Sequence, residues 1–253
     1  MDNIVYKIEE IVKKCGNIML NADSIVISKK EGRGNIVTNY DKKIQDILKK
    51  ELSKIVDNCS FICEEDDIYD TINNSGYTFI IDPIDGTYNF SRNFNLSAIS
   101  VALFKDKRPY ISVCYNPYRN ELFSAEEGRG AYLNGKKIHV SNRGLSEGLV
   151  LAGNAPYRSD LQEDSIKILS NFMRFANDYR RIGSAVIELC SIACGRAEVY
   201  FELEISLWDY AAGYLIVKEA GGVISDISGS DIVFDNKTSI IASNGVDDYL
   251  AYI

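Results

Sequence analysis

The sequence predicts a layered α+β/α/β protein made of two packed halves. The N-terminal half, residues 1–145, is built on an antiparallel sheet, and the C-terminal half, residues 146–253, is α/β. Three observations predict this. Apolar residues recur at helical spacing over 4–20 and again from 38 to 55. Between Leu96 and Val140 short β-rich runs follow one another, separated by turns. After Leu149 strand and helix patterns alternate to the end, as in α/β units.

Each element has its own signal. Ile4, Ile8, Ile11, Val12, Cys15, Ile18 and Met19 lie on one face of a first helix. Ser24–Ser28 reads as a short strand, and 29–35 (KKEGRGN), with two glycines and Lys29, Lys30 and Arg33, as a loop. Thr38 suits the N-cap of a second amphipathic helix running through Asp41, Ile44, Ile47, Leu48, Leu52 and Ile55. Phe61–Cys63 is a short buried strand ending in Glu64 and Glu65. Tyr77–Ile81 is another, and it runs straight into Asp82-Pro83-Ile84-Asp85-Gly86-Thr87. The runs at 96–104, 109–117, 120–128, 131–135 and 136–140 form a meander, with Asn134-Gly135 as a hairpin turn. In the C-terminal half, Leu149–Leu151, Tyr179–Arg181, Glu198–Glu202, Val223–Ile227 and Ser239–Ala242 read as strands. Leu161–Phe175, Ser184–Cys194 and Leu207–Glu219 read as helices, the last closed by Gly221-Gly222. A short helix ends the chain.

Composition excludes several functions. The 253 residues hold 28 Lys+Arg and 36 Asp+Glu, a net charge of −8. That balance argues against nucleic-acid binding, which needs a basic surface to displace counterions. No uncharged apolar run reaches the roughly 18–20 residues of a membrane span. The N-terminus lacks the uncharged core of a signal peptide, so the cytoplasm is the expected location. The six cysteines fit no zinc spacing, and Cys190 and Cys194 read as a core helix face. With His139 the single histidine, a histidine-based triad has little support. The charge is uneven: residues 61–90 hold seven acids and no Lys or Arg.

That segment carries chemistry. Asp82 and Asp85 leave the end of an apolar strand through a proline. A hard cation such as Mg²⁺ takes oxygen ligands, and two such ions about 4 Å apart need a bridging carboxylate. Asp82 can bridge, Asp85 can reach the second ion, and the Ile84 carbonyl can face the first. Glu64, at the end of a neighbouring strand, can complete the first site. Gly86 and Thr87 turn the backbone so that its N–H groups can hold an anionic oxygen. Metal ligands beside an anion cradle suggest phosphate-ester chemistry. Asp66, Asp67 and Asp70 read instead as solvated loop acids.

FIIDPIDGTYNF (79–90) resembles the signature of the inositol monophosphatase family, a branch of the Mg-dependent, lithium-sensitive sugar phosphatases. NIVTNYD (35–41) is similar to the family's VT-x-x-D segment, FICEED (61–66) to its F-I-G-E-E motif, GRGAYLNG (128–135) to its hairpin, and SLWDYAAGYLIVKEAGG (206–222) to its W-D-x-A helix. The resemblance spans essentially the whole chain and implies an αβαβα sandwich, the sugar phosphatase fold. It implies that Glu64, Asp82 and the Ile84 carbonyl hold one Mg²⁺, that Asp82, Asp85 and Asp209 hold a second, and that a weaker third leans on Glu64. By the same resemblance, Thr87 and Asp41 orient and deprotonate the attacking water, and the Gly86 and Thr87 amides bind phosphate. Asp85, Ala185, Glu202 and Asp209 then line the pocket for the alcohol. A homodimer and inhibition by Li⁺ are implied as well. Thr38 reads as an N-cap and Trp208 as core.

Three residues depart from the family pattern. Cys63 replaces the usual glycine and can shift Glu64; Asn35 replaces a common Asp; Glu204 adds an acid in a loop used for substrate choice. The expected activity is Mg²⁺-dependent hydrolysis of inositol 1-phosphate or a similar small sugar or polyol phosphate. Glu202, seven residues before Asp209, supports inositol. Relatives of this fold act on fructose 1,6-bisphosphate, histidinol phosphate, NADP and 3′-phosphoadenosine phosphates. Lys29, Lys30 and Arg33 can meet a second phosphate or form a solvated loop. A different class of reading is a non-catalytic binding module, including one associated with an RNA–protein assembly; the intact acidic set speaks against it.

Overall fold

The computed structural model describes residues 3–30, 35–66, 71–154 and 158–253. Helix α1 (Asn3–Leu20) leads to two short strands, β1 (Ile27–Lys29) and β2 (Ile36–Thr38), then to α2 (Asn39–Leu52). β3 (Ser60–Cys63) and β4 (Tyr77–Asp85) precede a one-turn helix, α3 (Thr87–Ser91). The meander follows as β5 (Ala98–Lys105), β6 (Arg108–Asn116), β7 (Glu121–Glu126), β8 (Gly130–Leu133) and β9 (Lys136–Ile138). The C-terminal half runs β10 (Leu149–Ala152), α4 (Gln162–Met173), β11 (Asp178–Arg180), α5 (Ala185–Ala193), β12 (Val199–Ser206), α6 (Leu207–Glu219), β13 (Val223–Ser225) and β14 (Lys237–Ser243). The expected terminal helix is a single 3₁₀ turn, Tyr249–Tyr252.

β3 to β9 lie side by side in sequence order in a seven-stranded sheet, antiparallel except for β3 beside β4. The second sheet has the order β11-β10-β12-β14-β13, with β11, β10 and β12 parallel. Side-chain alternation sorts the layers. Phe79 and Ile81 of β4 join Ile8 of α1 and Leu48 of α2 in one core. Ile80 points the other way, into a second core shared with α5, α6 and Tyr200 of β12. Phe201, next along β12, packs with Ile168 and Phe172 of α4 in a third. The order is helix, sheet, helix, sheet, helix, which is the αβαβα sandwich expected from the sequence.

α6 therefore touches apolar surface on nearly every side. Leu207, Tyr210, Ala211, Ala212, Leu215, Ile216 and Val217 are all buried, so it shows no polar face. Gly213 permits its close approach to α5, since a Cβ there would lie 2.5 Å from Leu189. Glu219 closes its far end, accepting the amides of Gly128 (2.8 Å) and Gly130 (2.6 Å) in the β7–β8 turn. Trp208 packs against this central core, as expected.

Some expectations need correction. The first short strand is Ile27–Lys29 rather than 24–28, and its partner β2 was not expected; Ile27 pairs with Thr38 and Lys29 with Ile36. Three-residue strands are too short to show alternation. β4 does not end at Ile81 but pairs with β5 as far as Asp85, through a register shift between Asp82 and Asp85. Pro83, with no N–H to give, sits inside that irregularity. Thr38 does cap α2, in a capping box with Asp41. Cys190 is buried on α5, Cys194 half-buried at its end, and all six cysteines are free. No described helix is long and apolar enough to cross a membrane. Arg33, Asp67 and Asp70 lie outside the described residues.

Candidate active site

The bulged end of β4 presents two buried carboxylates. Asp82 accepts the Ile84 amide at 2.9 Å. Asp85 accepts the Ser184 hydroxyl (2.5 Å) and the Val186 amide (2.8 Å) at the start of α5. Asp209, third residue of α6, accepts the Ser206 amide at 3.2 Å in a second capping box. Carboxylate oxygens of Asp82, Asp85 and Asp209 all lie within 4.8 Å of one another. Glu64 continues the β3–β4 pairing, its amide donating to Ile81 at 3.2 Å, and its charge helps to raise Asp82.

This crowding has an electrostatic signature. Burial, then the neighbouring carboxylates, pushes Asp82 and Asp209 well above the usual range. Burial raises Asp85 to about 6, against the opposing hydrogen bond from Ser184. Such a set is poorly disposed to be ionised alone and well disposed to accept cations. Its donors are all oxygen, which suits a hard divalent ion.

Beside it stands a second constellation. Asp41, fully buried, accepts the Thr38 amide at 2.8 Å and the Thr38 hydroxyl on one oxygen. Its other oxygen lies 3.1 Å from Thr87 Oγ1, which is also 3.0 Å from the Ile84 carbonyl. Burial raises Asp41 to about 6 despite these donors. Gly86, between the two constellations, has φ +82°, and a Cβ there would sit 3.0 Å from the Leu96 carbonyl and 3.1 Å from that of Gly183. Only glycine fits this left-handed, crowded position without strain. Asn89 secures the same junction, donating to the carbonyls of Leu96 and Ile182 at 2.8 Å each.

A cleft of about 180 Å³ opens beside the carboxylates, and Asp85, Ala185, Glu202 and Asp209 all line it. Burial raises Glu202 to about 7 although it accepts the Tyr200 hydroxyl at 2.6 Å. Two charged liners were not foreseen, Arg181 and Glu188. Glu188 reads in sequence as an ordinary helix-face acid, yet it is buried and accepts the Ile182 amide at 2.7 Å. Ser184 was also missed, although its place just before a helix marks it as a cap. A larger cavity of about 430 Å³, between Ile62, Ile72 and Phe234, contains none of the predicted site residues.

The departures and spare charges fall out differently from expectation. Cys63 packs into the α1/α2 core and leaves the Glu64–Ile81 backbone bond intact. Glu204 pairs with Arg158 and Lys237, so its charge is engaged outside the cleft. Asp66 is not simply solvated: it accepts Gln45 and pairs with Lys49 at 3.0 Å. Lys30 is not simply solvated, because its Nζ lies 3.0 Å from Glu64 and 2.5 Å from Glu65. The basic group missing from residues 61–90 arrives from elsewhere in the chain.

The family model described as the inositol monophosphatase family matches residues 2–252. A Nus factor SuhB from Xylella fastidiosa is 35% identical over 224 residues, 87% of this chain and 80% of that protein. An inositol-1-monophosphatase from Mesorhizobium japonicum is 35% identical over 217 residues, 85% of this chain and 81% of that protein. The solved structure of an IMPase from Thermotoga maritima superposes with a TM-score of 0.87 at 30% identity, covering 100% of this chain and 96% of the other.

Proposed function

The chain belongs to the inositol monophosphatase family and is a phosphatase, and on that premise we propose that it hydrolyses inositol 1-phosphate, or a similar small sugar or polyol monophosphate, with Mg²⁺. The observation that carries this reading is the convergence of Asp82, Asp85 and Asp209 from β4 and α6, with the Asp41–Thr87 pair alongside.

In this reading Glu64, Asp82 and the Ile84 carbonyl would hold one ion, Asp82, Asp85 and Asp209 would hold a second, and a third would lean on Glu64. The chemistry that bound Mg²⁺ supplies is neutralisation of the phosphoryl oxygens and acidification of water. The chain's own groups do the rest. Asp41 takes the proton of Thr87 Oγ1, leaving that oxygen free to accept one from the attacking water; a base of pKa about 6 suits work near neutrality. The Gly86 and Thr87 amides orient the phosphate. Asp85, Ala185, Glu202 and Asp209 receive the alcohol, whose hydroxyls the acids can accept. The engagement of Lys30 with Glu64 and Glu65 favours a monophosphate over a bisphosphate. Family likeness extends the reading to Li⁺ sensitivity, a homodimer and a cytoplasmic location.

Purified protein should release phosphate from inositol 1-phosphate with Mg²⁺ and not with chelator. Fructose 1,6-bisphosphate, histidinol phosphate and NADP serve as competitors. No release from any of them would overturn the reading. The likeness to a protein named a Nus factor favours a second reading, a non-catalytic binding role. A chain that binds a partner equally well as Asp85→Asn, which abolishes turnover, would support that role.

A further inference from the structure

The alcohol end of the cleft holds a carboxyl that the proposed mechanism leaves unused. Glu188 lines it from α5, one turn on from Ser184 and Ala185, which line it too. Residues three and four apart share a helix face. The face that holds Asp85 through Ser184 therefore also turns Glu188 toward the cleft. Glu202 lines the same space from β12. The helix wall and the strand wall each offer one acid.

Glu188 is 1% exposed. Among the described residues, its side chain makes one hydrogen bond, accepted by Oε1 from the Ile182 amide. The second oxygen is left for whatever fills the cleft. An anchor for that amide needs a single acceptor, which a neutral Gln side chain also supplies. A carboxyl is the costlier choice here. Burial raises it well above its usual range, and Glu202 and Asp85 add to the rise against the Ile182 amide and Arg181. Arg181 is itself exposed and donates to the Asn154 carbonyl at 3.2 Å. Buried polar groups are as a rule satisfied, and the partner missing here can come with the substrate.

We propose that Glu188 is a specificity-determining residue for the alcohol, its free oxygen bonding one substrate hydroxyl on the helix side while Glu202 bonds another on the strand side. The inference rests on the reading of this cleft as the seat of the leaving alcohol. Two acids on different walls select an alcohol that carries hydroxyls toward both. A ring polyol meets that demand, whereas an apolar ring or a short linear alcohol does not. Either protonation state serves, since an ionised carboxyl accepts from a hydroxyl and a protonated one can also donate.

The test compares two rings that differ in their hydroxyls, inositol 1-phosphate and cyclohexyl phosphate. It measures kcat/KM for the full chain with Mg²⁺, as wild type, Glu188→Ala, Glu202→Ala and the double variant. Wild type should prefer inositol 1-phosphate. Glu188→Ala should cut that preference by about tenfold, the scale of one buried hydrogen bond to the substrate. Glu202→Ala should do the same, and the double variant should lose more than either. Taking the acceptor from the Ile182 amide also slackens the turn that carries Ser184, but this lowers both rates together. A merely structural Glu188 therefore leaves the preference unmoved. Glu188→Asp, one methylene shorter and unable to reach both partners, carries the test if the alanine variant does not fold, and should cut the preference by about threefold or more. An unchanged preference in the Glu188 variants, or a wild type that shows none, would overturn the inference while leaving the phosphatase reading standing. A wild type that releases phosphate from neither ring would sink that reading and the inference with it.

Discussion

Ser184 donates its hydroxyl to Asp85 at 2.5 Å across 99 residues of chain, joining the end of β4 to the cap of α5. The same serine accepts the Ile187 amide, so one side chain both starts a helix and orients an acid of the site. Ser184→Ala should cost about 1–2 kcal/mol, from a lost cap and a lost buried hydrogen bond. Cation affinity or kcat/KM should drop by roughly 10- to 100-fold, as for other groups that orient metal ligands. Ser184→Thr should restore much of both. A thermal melt with calorimetry checks this, and an unaltered cation affinity and kcat/KM would count against the orienting role.

Thr87→Ala should lower kcat by roughly 100-fold or more, because in the proposed mechanism Asp41 acts through that hydroxyl. Divalent-cation binding should survive, which separates this role from ligation. Since Asp41 must be ionised to serve as base, wild-type activity should fall as pH drops through about 6. A pH–rate profile with no acid limb would contradict the assignment.

Gly153 borders the cleft, and a Cβ there would overlap the Glu202 carboxylate. Gly153→Ala should raise KM for inositol 1-phosphate by roughly tenfold, the cost of a misplaced polar contact. 4-Nitrophenyl phosphate, whose leaving group has no hydroxyl to recognise, should be cleaved nearly as before. Equal losses on both substrates would argue against recognition of the alcohol by Glu202.

The cation-free protein should lose stability as pH rises. Asp41 and Asp85 are raised from 3.8 to about 6, and Glu202 from 4.5 to about 7. Between those values the folded chain holds protons that the unfolded chain has released. Stability is therefore fullest below about 4 for these groups and is lost as pH climbs through 6 to 7. Melting temperatures in chelator should fall from pH 5 to 8, and saturating Mg²⁺ should flatten that slope. A rising melting temperature in chelator would refute it.

Glu219→Ala should lower stability by about 1–3 kcal/mol, since the amides of Gly128 and Gly130 lose their acceptor. Glu219 lies at the far end of α6, so kcat/KM well below the melting temperature should match wild type. Chemical denaturation and a rate assay on one sample decide it.

The site was legible where it is written in consecutive residues. Asp82, Ile84, Asp85, Gly86 and Thr87 occupy one strand end, and their apolar frame is visible in the sequence. Asp41 and Asp209 share a different signal, since each is the third residue of a capped helix. The family motifs supplied Glu202 and Ala185. β2 escaped because three residues carry no period, and β4 was cut short because Asp-Pro reads as a turn. Lys30 and Glu188 escaped because their meaning lies in partners far along the chain or in burial. A lysine in a glycine-rich loop looks solvated until its carboxylates are located.

The placement of α5 and α6 between the sheets bears on the order in which the protein can be made. The seven strands of the first sheet are complete by Ile138, but one of their faces, with Ile80, Ala102, Phe104 and Phe123, is covered by helices that end at Glu219. At about 5–20 residues per second, synthesis leaves that face bare for roughly 4–16 s before its cover exists. A newborn chain must therefore shelter an apolar surface while it waits. A gene cut after residue 145 would leave the wait without end, and its product should be recovered as aggregate rather than as a free-standing half.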